Sequence, residues 1–133
     1  MKSDLYNDFS YLGNLPFVSY SIEDTVQTLE ITHPDNLIIE IEIIDGIFEW
    51  FVTIYNSNRI KLVSDWDDHY GKPKDVLKLE RQNAVDEFVK NLLNHKLRYK
   101  FEKRIFRNVT CVQMFKDDNW IEVICNSKFR LGL

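Results

Sequence analysis

The sequence lacks the short motifs that usually mark a catalytic or cofactor-binding protein. It has no glycine-rich phosphate loop, no helix with paired histidines and no Cys-x-x-Cys pair, and its histidines (His33, His69 and His95) lie in separate segments. Because no residues can be assigned as nucleophile, acid or base, we predict that the chain is not an enzyme and binds no cofactor.

Long apolar runs, glycine, proline and cysteine are also scarce. No apolar run approaches the roughly 20 residues of a membrane span, and none follows the initial residues 1–4, so we expect no signal peptide and no membrane partner. Four glycines and three prolines leave no linker, which predicts a single domain over residues 1–133. Two cysteines, Cys111 and Cys125, do not make a disulfide scaffold, and we expect reduced thiols in a cytoplasmic protein.

The charged segment 65–70 invites a metal-binding interpretation, which its spacing contradicts. Counted from Asp65, a calcium loop needs glycine at its sixth position and glutamate at its twelfth, but Gly71 is seventh and Val76 is twelfth. A zinc site needs more histidine or cysteine at ligand spacing. We therefore predict a charged surface loop here and no metal.

Charge is divided unevenly along the chain. Residues 1–58 hold ten acids and one base, a formal charge of −9, whereas residues 59–133 hold sixteen bases and eleven acids, a charge of +5. This asymmetry favours a charged partner. Attraction between the two halves inside one fold is the alternative explanation.

Alternating apolar residues predict an α+β fold, with a mostly antiparallel twisted sheet of about six to eight strands and one main helix on its apolar face. The clearest element is a hairpin of Leu37–Ile44 and Ile47–Tyr55, joined by Asp45 and Gly46 as a two-residue turn. That turn pairs Ile43 with Phe48, Ile41 with Trp50, Ile39 with Val52 and Leu37 with Ile54.

Two further strands, about 26–32 and 59–64, are predicted to flank this hairpin. They would place Ile31 beside Ile39, and Ile60 beside Ile54. An additional strand near Phe17–Ile22 is expected to join the same sheet.

The C-terminal half is predicted to hold the helix, one strand and a second hairpin. Apolar residues recur at helical spacing from Ala84 to Leu93, with Asn83 or Asp75 as the cap. A strand near residues 97–102 precedes a hairpin of about 109–115 and 120–125, whose three-residue turn would set Cys111 opposite Cys125.

The polar face of the first sheet is the most informative surface. The predicted register sets Glu42 opposite Glu49 and Glu30 opposite Glu40, although like charges across a ladder are destabilising. Carboxylates mixed with aromatic side chains suit a docking surface for a cationic protein, and the alternatives are a solvated face or one covered by the basic C-terminal strands. The candidate partner-binding residues are Glu30, Glu40, Glu42, Glu49, Phe51, Tyr55, Asp65, Trp66, Asp67, Asp68 and Tyr70.

A basic segment offers a second hypothesis. Lys96, Arg98, Lys100, Lys103, Arg104 and Arg107 alternate with aromatic residues, as in proteins that bind single-stranded nucleic acid. The strand period predicts that most of these aromatics face the core, and the sequence pI near 5.4 argues against nucleic acid. A small ligand-binding domain is a third possibility.

The sequence resembles bacterial immunity proteins of contact-dependent growth inhibition and related polymorphic toxin systems. The shared features are a compact acidic chain, an acidic-aromatic sheet face, a charged 65–69 loop and the lack of catalytic motifs. The resemblance covers the whole chain in size and layout and includes no signature motif. It implies a cytoplasmic antitoxin, monomeric or weakly dimeric, that binds a toxin domain, often a nuclease, and blocks its substrate site.

Overall fold

A computed structural model describes residues 2–129 of the chain, with the side chains of residues 128 and 129 left aside. Across these residues the fold is α+β, as predicted, with eight antiparallel strands and one α-helix. The strands form two sheets, in the orders β1-β2-β3-β4-β5 and β6-β7-β8, where a single sheet was expected. The elements are β1 (Val18–Glu23), β2 (Val26–His33), β3 (Leu37–Ile44), β4 (Glu49–Asn56), β5 (Lys61–Asp68), α1 (Lys74–Leu93), β6 (Lys96–Lys103), β7 (Arg107–Lys116) and β8 (Asn119–Phe129).

The register of the first hairpin differs from the prediction by two residues. The connection between β3 and β4 occupies residues 45–48, so that Ile43 lies opposite Trp50 and Ile41 opposite Val52. Since side chains alternate with a period of two, this offset keeps every apolar residue on the predicted face.

A buried arginine explains the longer turn. Arg81 of α1 donates hydrogen bonds to the carbonyl oxygens of Ile44 (3.3 Å) and Ile47. A two-residue turn would use these same carbonyls in its closing backbone pair. The guanidinium therefore replaces the last rung of the ladder.

The pairing of β2 with β3 is confirmed, and that of β4 with β5 is wrong. Ile31 lies opposite Ile39 as predicted, and β1 joins the sheet beside β2. In contrast, Val63 lies opposite Ile54, while Ile60 is exposed in the connection over residues 57–60. The Asn56 side chain accepts the backbone N–H groups of residues 58 and 60 and so holds the turn. Beyond it, a bulge between the Tyr55–Lys61 and Ile54–Val63 pairs reverses which side chains of β5 face the core.

Side chains of α1 share one buried cluster with side chains of both sheets. Val85, Val89 and Leu92 of the helix belong to the cluster that contains Ile41 and Val112. The helix starts after Pro73, so neither predicted cap is correct: Asp75 lies in the first turn and Asn83 in the middle. No helix among residues 2–129 is long and apolar enough to cross a membrane.

The C-terminal hairpin carries a disulfide, contrary to the expected free thiols. Cys111 and Cys125 lie directly opposite each other on β7 and β8, and their sulfur atoms are bonded. Their predicted pairing is confirmed, but the predicted three-residue turn is wrong. Asp117 and Asp118 form a two-residue turn with positive φ. A bulge between Val112 and Gln113 then shifts the register by one residue, which brings Cys111 opposite Cys125.

Candidate protein-interaction surface

Eight of the predicted docking residues lie together on the polar face of the five-stranded sheet. Directly opposed residues of an antiparallel pair share a face, and alternate residues along each strand return to it. This surface, called the acidic face below, comprises Glu30, Glu40, Glu42, Glu49, Phe51, Tyr55, Trp66 and Asp68.

Two pairs of carboxylates oppose each other across this face. Glu30 lies opposite Glu40, as predicted. Glu42 does not face Glu49, because the two-residue offset places it between Thr28 and Phe51. Glu49 instead lies opposite Asp68, an acidic pair that the prediction missed because it assigned Asp68 to a loop.

Glu40 lies at the electrostatic centre of the acidic face. Burial raises the pKa of Glu40, and repulsion from Glu42 and then Glu30 raises it further. Arg59 opposes this shift and forms an ion pair of 2.9 Å with Glu30. Each opposed like-charge pair costs about 0.2–1 kcal/mol on the scale of cross-strand interactions, so this arrangement is unfavourable for folding alone.

Aromatic side chains stand among the carboxylates. Phe51 lies directly opposite Trp66, whose side chain is 55% exposed. Tyr55 is half-buried at the far end of β4, where burial raises its pKa. Rings of this kind bury a large area for little conformational entropy, which is why they anchor protein interfaces.

The acidic face is open to solvent. Each of its eight residues is half-buried or exposed, so the C-terminal strands do not cover it. Apolar core residues occupy the opposite side of the same strands, for example Ile41 and Val52. The interpretation in which the basic strands neutralise this face inside the fold is therefore wrong.

Three predicted docking residues lie elsewhere. Asp65 and Asp67, predicted to lie in a charged loop, are on the opposite side of β5, directly across from Val52 and Trp50. They border a cleft of about 240 Å³ that Phe88 also lines. Tyr70 follows β5 in a loop and is 78% exposed.

The predicted charged loop is mostly a strand. Residues 65–68 belong to β5, and the connection to α1 begins at His69. The Trp50 indole N–H donates to His69 Nε2 over 3.3 Å. The ring nitrogens of His69 lie 3.6 Å from a carboxylate oxygen of Glu80 and 3.7 Å from one of Asp67. These contacts hold the loop against the end of β4.

The other two histidines join secondary-structure elements. His33 donates from Nε2 to the Leu92 carbonyl oxygen over 2.8 Å, and its Nδ1 accepts the Asp35 backbone N–H. His95 donates from Nδ1 to the Asn91 carbonyl oxygen over 2.7 Å. The His33 ring therefore links the end of α1 to β2, and the His95 ring binds the last turn of α1.

The basic segment departs from its prediction in the placement of its aromatic residues. Tyr99, Phe101 and Phe106 are exposed rather than directed into the core. Some of the cations are engaged locally: the Arg98 guanidinium lies 4.1 Å from the centre of the Trp120 ring, and Lys100 and Arg104 contact Glu102. The remaining cations of the predicted cluster are Lys96, Lys103 and Arg107, all exposed.

No family model, no curated protein and no solved structure matches this chain.

Proposed function

We propose that this chain is an immunity protein that binds a cationic toxin domain, such as a nuclease, through the acidic face and thereby blocks the toxin's active site. The observation that supports this proposal most is the open acidic face itself. Carboxylates lie side by side there, an arrangement unfavourable for folding alone, with the exposed Trp66 ring and the half-buried Phe51 and Tyr55 rings among them. A surface selected only for folding would place lysine or threonine at these positions.

The physical chemistry of nuclease recognition supports the same partner. A nuclease attracts the phosphate backbone with a positive surface, and carboxylates spaced along strands present a comparable series of negative charges. Steering by these charges accelerates association and weakens with salt. Trp66 and Phe51 supply the apolar contact area that charge alone does not provide.

We also infer that α1 covers the apolar face of the five-stranded sheet, which leaves the acidic face free for a partner. The rings of Trp50 and Phe88 contact edge to face with their centres 5.6 Å apart. Val85 and Val89 share the buried cluster with Ile39 and Ile54. In this arrangement the protein acts by binding, without catalysis or a cofactor.

The proposal is tested by capture of the adjacent gene's product at low and moderate salt, about 50 and 200 mM. We expect capture of one basic protein domain that weakens with salt. Glu42→Lys should weaken binding at least about ten-fold, because it reverses a charge within the acidic face. Glu87→Lys is the matched control, since Glu87 is an exposed acid on α1.

Protection of cells that produce the toxin provides the second measurement. Glu42→Lys should lose protection while its thermal unfolding stays close to that of the parent. Equal binding and equal protection by Glu42→Lys and the parent would refute the assignment of the acidic face.

A further inference from the structure

A cavity separate from the acidic face lies between the two sheets. It has a volume of about 340 Å³, within the usual range for small-ligand sites. Phe101, Thr110 and Asn126 form one cross-strand row over β6, β7 and β8 that supplies its floor. The cavity is completed by Asn108 of β7 and by Lys61 and Leu62 of β5.

Phe101 contributes a flat aromatic surface to the floor of this cavity. Its side chain is 53% exposed although its strand neighbour Leu97, on the same face, is buried. An exposed ring beside amide and hydroxyl groups suits a planar ligand that stacks on one side and forms hydrogen bonds along its edge. An aliphatic ligand would leave those polar groups unpaired.

Asn108 has an unsatisfied hydrogen-bonding group. Its Oδ1 is buried and accepts no hydrogen bond from the described residues. Buried polar atoms are nearly always paired, and an unpaired one is unfavourable. Because Asn108 also lines the cavity, a ligand N–H group that reached Oδ1 would supply the donor that it lacks.

The charge around the cavity is positive. Lys61 lines it, and Lys103 lies directly opposite Asn108 on the same face of the sheet. Among the described lining residues one is cationic and none is acidic. A ligand with an anionic group beside its planar ring therefore fits better than a neutral or cationic one.

We propose that this cavity binds a nucleotide, with the base stacked on Phe101, an N–H of the base donated to Asn108, and the phosphate near Lys61. The chemistry is common to a free mononucleotide and to one nucleotide of a single strand. None of its lining residues belongs to the acidic face, although β5 contributes to both surfaces and Lys61 lies opposite Tyr55. The two proposals are therefore tested with different variants and different ligands.

The test is an NMR titration of the protein with each of the four ribonucleoside monophosphates, and separately with short single-stranded homopolymers at low and moderate salt. We expect the side-chain amide signals of Asn108 and Asn126 to shift. Phe101→Leu keeps an apolar side chain but removes the ring, and should weaken binding about ten-fold. Phe106→Leu is the matched control, because Phe106 is an exposed ring that does not line the cavity.

The two sources of ligand give different results. Saturable shifts with a monophosphate identify a free-nucleotide site. Shifts with homopolymers alone, weakening with salt and sensitive to Phe101→Leu, identify a single-strand site. The proposal is overturned if neither ligand class shifts the two amides at millimolar concentration, or if Phe106→Leu weakens binding as much as Phe101→Leu.

Discussion

Replacement of Arg81 by methionine should destabilise the fold more than any change on the acidic face. The Arg81 side chain is fully buried and donates to the carbonyl oxygens of Leu5, Ile44 and Ile47 and to Asn7 Oδ1. Burial lowers the pKa of Arg81 to about 10, an effect that Asp45 partly offsets, so the side chain remains cationic at neutral pH. One group thus ties the N-terminal segment and the β3–β4 turn to the helix.

The expected loss follows from the acceptors left behind. Methionine approximates the length of the arginine stem but donates no hydrogen bond, so that up to four acceptors lose their donor. Hydrogen bonds from a charged group contribute about 1.5–3 kcal/mol each, and the relieved cost of burying the guanidinium offsets part of their sum. Methionine leaves no unpaired charge, so the loss comes from the buried acceptors without a donor, at about 1–3 kcal/mol each, and we expect about 3–5 kcal/mol in all.

The assay is urea unfolding of the parent and of Arg81→Met, followed by circular dichroism. We expect a lower midpoint with an unchanged slope, and a melting temperature about 10–20 °C lower. Arg81→Lys should lose less, because an ammonium group retains the charge and some of the donors. Arg59→Met is the control: its exposed ion pair with Glu30 should contribute about 1 kcal/mol or less. A stability of Arg81→Met within about 1 kcal/mol of the parent would refute this reasoning.

Three further outcomes are expected. Glu40→Gln should raise stability near pH 7 by about 0.2–1 kcal/mol. Because the pKa of Glu40 is raised on folding, the contribution of Glu40 to stability falls as pH rises through that pKa, so the gain in urea midpoint of the variant over the parent should grow from pH 4 to pH 7. Reduction of the disulfide between Cys111 and Cys125 should cost about 3 kcal/mol, measured as a melting temperature that drops with dithiothreitol in the parent and not in a Cys111→Ala/Cys125→Ala variant. Trp66→Ala should change stability by less than about 1 kcal/mol, because the ring is largely exposed, while titration calorimetry with the captured toxin shows binding at least about ten-fold weaker.

Periodicity of apolar residues was sufficient to predict which face of β2, β3 and β4 is buried. The assignment of residues to the buried face stays correct despite a register error of two residues, because side chains alternate with a period of two. The turn itself was not predictable from Asp45 and Gly46, because the side chain that opens it, Arg81, lies 34 residues beyond Ile47. Local turn preferences cannot include a hydrogen bond from so distant a position.

A register error of an odd number of residues places side chains on the wrong face of the sheet, and such errors had larger consequences for the candidate site. Residues 65–68 were predicted to lie in a loop but continue β5, and a bulge between the Tyr55–Lys61 and Ile54–Val63 pairs places Trp66 on the acidic face and Asp65 and Asp67 on the opposite side. Tyr99 and Phe101 alternate with charged residues as core residues do, yet β6 extends beyond the core that would cover them. The overlap of the second sheet with the first depends on tertiary packing, and it cannot be predicted from the periodicity of apolar residues.

The observed register also changes how the acidic face can recognise a partner. In the predicted register, carboxylates would meet carboxylates in two adjacent rows. In the structure, Glu42 lies beside Phe51, which in turn lies beside Trp66, so that a carboxylate and two rings form one row across the sheet. A lysine or arginine side chain lying along this row can pair its charge with Glu42 and pack its aliphatic stem on the rings. Charge and aromatic contacts should therefore be coupled, and the combined loss in Glu42→Gln/Trp66→Ala should differ from the sum of the single losses by about 0.5 kcal/mol or more.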